Sequence, residues 1–405
     1  MTVEFRSARE DELEQYLDIV KYLFAVPPPD EPRAEPPVWR LKPEHTVCAF
    51  VDGRMVSTYA AYDFTVRLNG APVSMAGVTN VGTLPGYRRR GFVRELVVRG
   101  LADARDRGQS CAMLWASFGA IYQRFGYVLA SLWTRYTWDP RYGALTGPPA
   151  TGQADVVSFE EGRPIAQRLL AEYVEPRNLM IERSQATWDR VFEPDEPSTK
   201  PHQMALYRDA AGEPRGYLYF RNREDEGYDP GPNQHLKVSA FVALDTDAYR
   251  GLWNFLVAHD LVREIEMEPV PEDDPAPLLL LEPRTLRRRT GDGIWLRIAD
   301  VELALSQRPY GAAGALTIAV QDEVCDWNHA TFRLETDGPT SSVTRTSEAP
   351  DLTVPVARLA SLLSGFASAT ELSRLGLIEA RDPRILGQAD RMFATAYRPY
   401  CQDGF

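Results

Sequence analysis

One stretch of sequence decides the fold: Val78-Thr79-Asn80-Val81-Gly82-Thr83-Leu84-Pro85-Gly86-Tyr87-Arg88-Arg89-Arg90-Gly91-Phe92-Val93. It predicts a strand that ends near Thr83, an arginine-rich loop, and a helix that starts near Gly91. The first N–H groups of a helix have no intrahelical partner and lie at the positive end of its dipole, so they readily bind phosphate. Neighbouring arginines can pair with the same anion. The stretch therefore predicts a diphosphate site, although an exposed basic loop that only caps a helix has the same composition.

A second informative element follows a predicted apolar strand: Ser117-Phe118-Gly119-Ala120-Ile121-Tyr122-Gln123-Arg124-Phe125-Gly126-Tyr127. Its pattern predicts a turn of helix that carries Tyr122 and stops at Gly126. Tyr122 is either a functional phenol or, like most isolated tyrosines, a buried ring with a satisfied hydroxyl. The sequence leaves both interpretations open.

Composition limits the classes of function. The chain has 405 residues, 44% apolar and 25% charged, which is typical of globular enzymes with two or three domains. A net charge of −12 disfavours nucleic acid and anionic membranes as partners and favours cationic ones. The sequence predicts neither a signal peptide nor a membrane span. Four widely separated cysteines and five scattered histidines predict reduced thiols in a cytoplasmic protein without a metal site.

The turn and linker sequences along the chain predict three α+β segments. An antiparallel meander is expected over residues 44–82, with hairpin turns at Asp52-Gly53 and Asn69-Gly70. A linker is expected at Gly147–Gly152. A proline- and acid-rich stretch from Glu268 to Pro275 ends the second segment.

Together the two elements resemble the GNAT family of acetyl-CoA-dependent N-acetyltransferases. The loop from Arg88 to Val93 is similar to that family's Arg/Gln-x-x-Gly-x-Gly/Ala motif, with Val93 in place of the final small residue. The run from Ile121 to Tyr127 and the terminal Phe405 resemble the Eis subgroup.

The resemblance to the Eis subgroup implies an architecture for the whole chain. It implies two tandem GNAT-type domains, at residues 1–150 and 151–289, and a sterol-carrier-protein-like domain at residues 290–405. The central domain has Ala243–Ala248 where the arginine loop would stand, so it is expected to bind no CoA. Family members form hexamers, so the resemblance implies a homo-hexamer.

The resemblance also implies a role for each matching residue. Tyr122 matches the general acid that returns a proton to the departing CoA thiolate, and the terminal carboxylate of Phe405 matches the base toward the incoming amine. The residues expected to hold acetyl-CoA are Val81, Gly82, Thr83, Arg88, Arg89, Arg90, Gly91, Phe92, Val93, Arg94 and Ser117.

The implied reaction is acetyl transfer to amines of a polycationic small molecule, and the implied class is the aminoglycosides. Whether one or several positions are acetylated stays open. Asp30 and Trp39 lie in an acidic, proline-rich loop and are the candidate substrate contacts, because a flat indole ring packs against sugar rings. A solvated acidic loop is the alternative for Asp30. Two other functions stay open: acetylation of protein lysines or other amines, and a non-catalytic role in binding CoA or lipid.

Overall fold

The computed structural model describes residues 2–26, 41–192, 202–224 and 231–405. This part of the chain folds into three sheets covered by helices, and none of its helices is long and apolar enough to cross a membrane. The strands are β1 (Val3–Arg6), β2 (Thr46–Val51), β3 (Arg54–Leu68), β4 (Ala71–Thr83), β5 (Cys111–Trp115), β6 (Val128–Leu129), β7 (Leu132–Trp138), β8 (Gln153–Val157), β9 (Gln203–Arg208), β10 (Pro214–Glu224), β11 (Gln234–Ala243), β12 (Val262–Val270), β13 (Arg287–Asp292), β14 (Ile294–Ile298), β15 (Gly314–Gln321), β16 (Ala330–Thr336), β17 (Ser341–Arg345), β18 (Leu352–Pro355) and β19 (Glu379–Ala380). The helices are α1 (Leu13–Phe24), α2 (Phe92–Asp106), α3 (Gly119–Gln123), α4 (Phe159–Val174), α5 (Gln185–Val191), α6 (Thr246–Val257), α7 (Ala276–Leu279), α8 (Val301–Gln307), α9 (Val356–Ser364), α10 (Ala369–Arg374) and α11 (Pro383–Phe393).

The first sheet contains the antiparallel meander that the sequence predicts. Asp52-Gly53 joins β2 to β3 and Asn69-Gly70 joins β3 to β4, and both residues of each turn have positive φ. That conformation is the type I′ turn, which suits the twist of antiparallel strands. Helix α2 then carries the chain back across the sheet, so that β5 pairs parallel to β4. The predicted order of strand, loop, helix and strand is confirmed.

The two large sheets have the same topology. Their strand orders are β1-β2-β3-β4-β5-β14-β6 and β8-β9-β10-β11-β12-β7-β13. In each sheet the fourth and fifth strands are parallel, and every other neighbouring pair is antiparallel. The helix between the parallel strands is α2 in the first sheet and α6 in the second. The first two domains are therefore two versions of one fold.

These two sheets exchange strands. β7 precedes the predicted linker, yet it completes the second sheet, while β14 follows the second sheet in sequence and completes the first. The boundaries at 150/151 and 289/290 stay a prediction for the domains. The first separates β7 from the second sheet, and the second falls inside β13 and separates β14 from the first sheet. The exchange ties the first two domains together through backbone hydrogen bonds.

The third sheet, of order β17-β16-β15-β18-β19, packs against the first domain. Val66 and Met75 of the first sheet lie in one apolar cluster with Leu316, Ile318 and Leu359 of the third domain, and all five are buried. Burying a large apolar side chain contributes about 1.5–3 kcal/mol. The third domain, and the C-terminus that it carries, is therefore held in a fixed position relative to the first sheet.

Candidate active site

The central feature of the first domain is a cleft between β4 and β5. These strands pair only between Met75–Gly77 and Cys111–Met113. β4 then continues to Thr83, while the end of β5 pairs with β14 on its other side. Beyond Gly77, the edge of β4 that faces β5 has no neighbouring strand among the described residues, so its backbone groups are available to a ligand.

A bulge in β4 bends this strand away from β5. The register between β3 and β4 shifts near Asn80, whose φ is 56°. The side chains of Ser57 and Thr58 hold the bulge, since their hydroxyls donate to the carbonyls of Gly82 at 2.7 Å and Asn80 at 2.8 Å. A bulge of this kind increases the local bend and twist, so the cleft is built into the strand pairing.

The N-terminus of α2 borders the cleft. Gly91 is the N-cap residue of α2 and has a φ of +85°, a conformation that favours glycine. A Cβ at Gly91 would meet no heavy atom within 4 Å, so the space beside it is open. The first helical hydrogen bond runs from the N–H of Glu95 to the carbonyl of Gly91, at 3.2 Å. The N–H groups of residues 92–94 therefore precede the helical ladder and are free to bind an anion.

The arginine loop is fixed by its own backbone. Nε of Arg88 donates to the carbonyl of Thr83 at 3.1 Å, and Nη2 of Arg90 donates to the carbonyl of Gly86 at 3.1 Å. The guanidinium of Arg90 also lies 5.3 Å from the centre of the Tyr87 ring. The loop thus adds positive charge beside the positive end of the α2 dipole.

The β4–β5 cleft has a volume of about 710 Å³, and nearly all of the predicted cofactor residues line it. The residues that the structure brings together there are Val81, Gly82, Thr83, Arg88, Arg89, Gly91, Phe92, Val93, Arg94, Ser117 and Tyr122. Arg90 lies in the loop but not in the lining. Leu23 and Phe24 of α1 also line the cleft, which the sequence analysis did not predict. The signal for it was Phe24, an apolar residue that stays half-exposed at the end of an amphipathic helix.

Tyr122 lies on α3 and is 6% exposed. Its ring packs edge to face against that of Tyr127, with ring centres 5.7 Å apart. The ring is therefore buried, as expected for a tyrosine with a packing role. Its hydroxyl, however, has no hydrogen-bond partner in the described part of the chain. Burial raises the pKa of the Tyr122 phenol to about 12, because desolvation disfavours the phenolate. The side chain therefore brings a protonated, unengaged hydroxyl to the cleft.

A buried ion pair positions the turn after Tyr122. Arg297 of β14 donates from Nε to the carbonyl of Phe125 at 2.7 Å, and its Nη2 donates to both carboxylate oxygens of Asp322 at 2.7 and 2.9 Å. Both side chains are fully buried. A Cβ at Gly126 would lie 2.8 Å from Nε of Arg297, which is why the turn needs glycine. The sequence did not single out Arg297; a charged residue inside the apolar run of β14 was the signal.

A second cavity, of about 600 Å³, contains the C-terminus. We call it the C-terminal cavity. The ring of Phe405 lies 4.9 Å from that of Phe64 on β3 and meets it edge to face. Three contacts fix the residues before it: Nε of Arg183 donates to Oδ1 of Asp403 at 2.7 Å, Trp115 Nε1 donates to the Asp403 carbonyl at 2.9 Å, and Arg190 donates to the carbonyl of Gly404.

These contacts come from two domains. Arg183 and Arg190 belong to the second domain, whereas Trp115 is the last residue of β5 in the first. The final residues of the chain are therefore clamped at the carboxyl end of β5, beside the cleft. The remaining predicted substrate residues, Asp30 and Trp39, lie outside the described residues.

The β4–β5 cleft fits acetyl-CoA by its chemistry. Open N–H groups at the start of α2 and the adjacent guanidinium groups suit a diphosphate. The unpaired edge of β4 suits the amides of a pantetheine arm, which hydrogen-bond as an added strand would.

Comparison with known proteins extends the likeness to the whole chain. The chain matches an acetyltransferase (GNAT) domain family at residues 4–130, a second such family at residues 179–298, and a sterol carrier protein domain family at residues 301–402. It is 32% identical over 376 residues to an uncharacterized N-acetyltransferase of Streptomyces avermitilis, covering 90% of this chain and 89% of that one. It is 29% identical over 329 residues to N-acetyltransferase Eis of Mycobacterium tuberculosis, covering 79% and 78% of the two chains.

A solved structure agrees with these sequence matches. Eis1 from Mycobacterium abscessus superposes with a TM-score of 0.84 at 29% identity, across 99% of this chain and 100% of that one. The predicted fold class, two GNAT-type domains followed by a sterol-carrier-protein-like domain, is confirmed. The chain belongs to the Eis family of GNAT N-acetyltransferases, enzymes that use acetyl-CoA as acetyl donor.

Proposed function

We propose that the chain transfers acetyl from acetyl-CoA to an amine of a cationic small molecule, with Tyr122 as general acid and the carboxylate of Phe405 as base. The observation that carries the proposal is the clamped C-terminus. Asp403 is hydrogen-bonded to Trp115 at the end of β5, and Phe405 follows two residues later. This hydrogen bond fixes the terminal carboxylate near the end of β5, and an acceptor amine bound in the C-terminal cavity would meet it there.

The residues of the chain divide the work of the reaction. Acetyl-CoA supplies an activated thioester. The amides at the end of β4 would hold the pantetheine arm and polarise the thioester carbonyl, while residues 88–94 would hold the diphosphate. The Phe405 carboxylate would attract the acceptor ammonium and accept its proton. Tyr122 would hold a proton at its phenol oxygen until negative charge develops on the departing sulfur.

We propose aminoglycosides as the first acceptor class to test. The net charge of −12 supports a polycationic substrate. A different observation favours a second class. Tyr62, Phe64 and Phe405 form an aromatic row, with ring centres 5.9 and 4.9 Å apart, which suits an amine on an apolar or aromatic body.

Release of CoA thiol by untagged protein distinguishes these classes. The panel is acetyl-CoA with aminoglycosides, polyamines, arylalkylamines and lysine peptides. Turnover of several aminoglycosides supports the first class, and turnover confined to arylalkylamines or peptides supports the second. If the protein binds acetyl-CoA but turns over no amine of the panel, the proposed cationic acceptor is contradicted.

We also propose a cytoplasmic location and a hexamer. The location is supported by four cysteines that are all buried and unpaired, as expected for a reducing compartment. The hexamer is supported by the family alone, and light scattering tests it.

Extending the chain beyond Phe405 is expected to reduce kcat/KM by about 100-fold, the lower range for loss of a general base. A six-histidine tag after Phe405 replaces the terminal carboxylate with a neutral amide, while the affinity for acetyl-CoA stays unchanged. The same tag at the N-terminus is the matched control and should leave kcat/KM unaltered. Full activity of the C-terminally tagged protein would remove Phe405 from the mechanism.

We expect kcat/KM to rise from pH 6 to pH 10. Deprotonation of Tyr122 should not lower kcat/KM within this range. The active phenol is the protonated form, and it is lost only as pH rises through its pKa of about 12. The rise follows deprotonation of the acceptor amine, which ordinarily titrates near ~10. A falling limb centred below pH 10 with a stable protein would contradict the assigned acid.

A further inference from the structure

The second domain keeps a cavity where the first domain has its cleft. β11 and β12 pair in parallel between Gln234–Val238 and Val262–Met267, and both strands then run on beyond this pairing. The opening between them, which we call the β11–β12 cavity, has a volume of about 350 Å³. Its walls are α4, the end of β11, the first turn of α6 and the end of β12. These correspond to α1, β4, α2 and β5 around the first cleft.

A carboxylate occupies the N-terminus of α6, the position at which α2 offers free N–H groups to a phosphate in the first domain. Oδ1 of Asp245 accepts from the N–H of Ala248 at 2.8 Å and caps α6, while its Oδ2 accepts from Nε of Arg215 at 3.0 Å. Gly91, at the same place in the first domain, makes no side-chain cap. A fixed negative charge at the helix start repels a diphosphate, so this cavity does not suit CoA.

Aromatic rings form most of the cavity wall. Five line it, namely Tyr173, Phe241, Tyr249, Tyr397 and Tyr400. The rings of Phe241 and Tyr249 are 4.9 Å apart. Three carboxylates also line it, those of Asp245, Asp273 and Asp274, against one guanidinium, that of Arg177. The lining is therefore both aromatic and net negative, which favours cations.

The cavity already holds one cation on its ring faces. The guanidinium carbon of Arg177 lies 3.6 Å from the centre of the Tyr173 ring and 4.4 Å from that of Tyr397. Deeper in, Oδ1 of Asp274 accepts from the hydroxyl of Tyr249 at 3.0 Å and from the N–H of Ala276 at 3.0 Å. These hydrogen bonds fix a carboxylate among the rings.

We propose that the β11–β12 cavity is a second binding site, which takes a small organic cation with an aromatic or alkyl body. The cation would lie against Tyr249 and Phe241 with its charge toward Asp274. A volume of about 350 Å³ is near the lower end of ligand pockets, so the ligand is small. The site is separate from acetyl transfer because none of the acetyl-CoA or catalytic residues assigned above lines it.

Benzyltrimethylammonium tests the proposal independently of the reaction. Its quaternary nitrogen has no hydrogen and cannot be acetylated, so calorimetric titration of the full chain measures binding alone. We expect saturable binding of one equivalent, unchanged by saturating acetyl-CoA and by Tyr122→Phe. Benzenesulfonate, an anion of similar size, is expected not to bind.

Variants locate the bound cation. Asp274→Asn and Phe241→Leu are each expected to weaken binding at least tenfold, whereas Phe64→Leu in the C-terminal cavity leaves it unchanged. Asp260→Asn and Tyr142→Leu, at exposed positions, are the matched controls. If Asp274→Asn does not fold, Phe241→Leu still decides the question. Absence of saturable binding overturns the proposal, as does binding that survives both cavity variants or is lost in Phe64→Leu.

Discussion

Replacing Tyr122 with phenylalanine is expected to lower kcat by about 10²–10⁴-fold, the usual contribution of a positioned general acid. The thiolate then leaves without a proton from the protein, while every group that would hold acetyl-CoA is unchanged. The dissociation constant for acetyl-CoA should therefore stay within about threefold of wild type, because a lost hydroxyl that makes no bond in the protein costs little. Single-turnover kinetics and calorimetric titration measure the two quantities.

Tyr142→Phe is the matched control, since Tyr142 is 53% exposed on a surface turn. It should keep full activity. Unfolding midpoints of Tyr122→Phe and wild type should agree, which shows that lost packing does not explain lost turnover. Normal turnover by a folded Tyr122→Phe protein would show that the phenol is not the acid.

The parts of the fold that depend on neighbouring residues could be predicted from sequence. Asp52-Gly53 and Asn69-Gly70 determine their turns because only certain residues tolerate positive φ. The α2 boundaries followed from apolar spacing and from Gly91 and Gly108 at its two ends. The strand, loop and helix are consecutive in the chain, so the sequence also predicted that the arginine loop and most residues of the cleft lie together. Their role in holding acetyl-CoA stays a prediction.

The parts that depend on distant pairing could not be predicted. β7 and β14 are short strands of ordinary composition, and nothing local tells which sheet each completes. The clamp on the C-terminus joins Asp403 to Arg183, 220 positions earlier. Arg183 stands in an unremarkable loop sequence, so only the folded chain shows that the second domain holds the end of the third.

Replacing Arg297 with methionine is expected to destabilise the protein by about 3–5 kcal/mol, the cost of removing one partner of a buried ion pair. Asp322 would then be buried with its charge uncompensated, since its remaining contacts are neutral donors: the N–H groups of Val324 and Cys325 and the side-chain amide of Asn328. The midpoint of urea unfolding, followed by tryptophan fluorescence, measures the change.

Two further variants separate the charge from the packing. Arg297→Met combined with Asp322→Asn removes both charges, so it should recover part of the lost stability. Arg384→Met is the surface control: its ion pair with Asp382 is largely exposed, and the midpoint should not move. An Arg297→Met protein as stable as Arg384→Met would show that the buried pair contributes nothing.

The same substitution is expected to reduce turnover in the fraction that stays folded. Nε of Arg297 holds the carbonyl of Phe125, and without it the turn that carries Tyr122 loses its fixed position. A general acid must lie within hydrogen-bond reach of the sulfur, so kcat should fall. The affinity for acetyl-CoA should stay unchanged, because the groups of β4 and α2 that we propose to hold it are not altered. If kcat of folded Arg297→Met equals that of wild type, the ion pair serves stability alone.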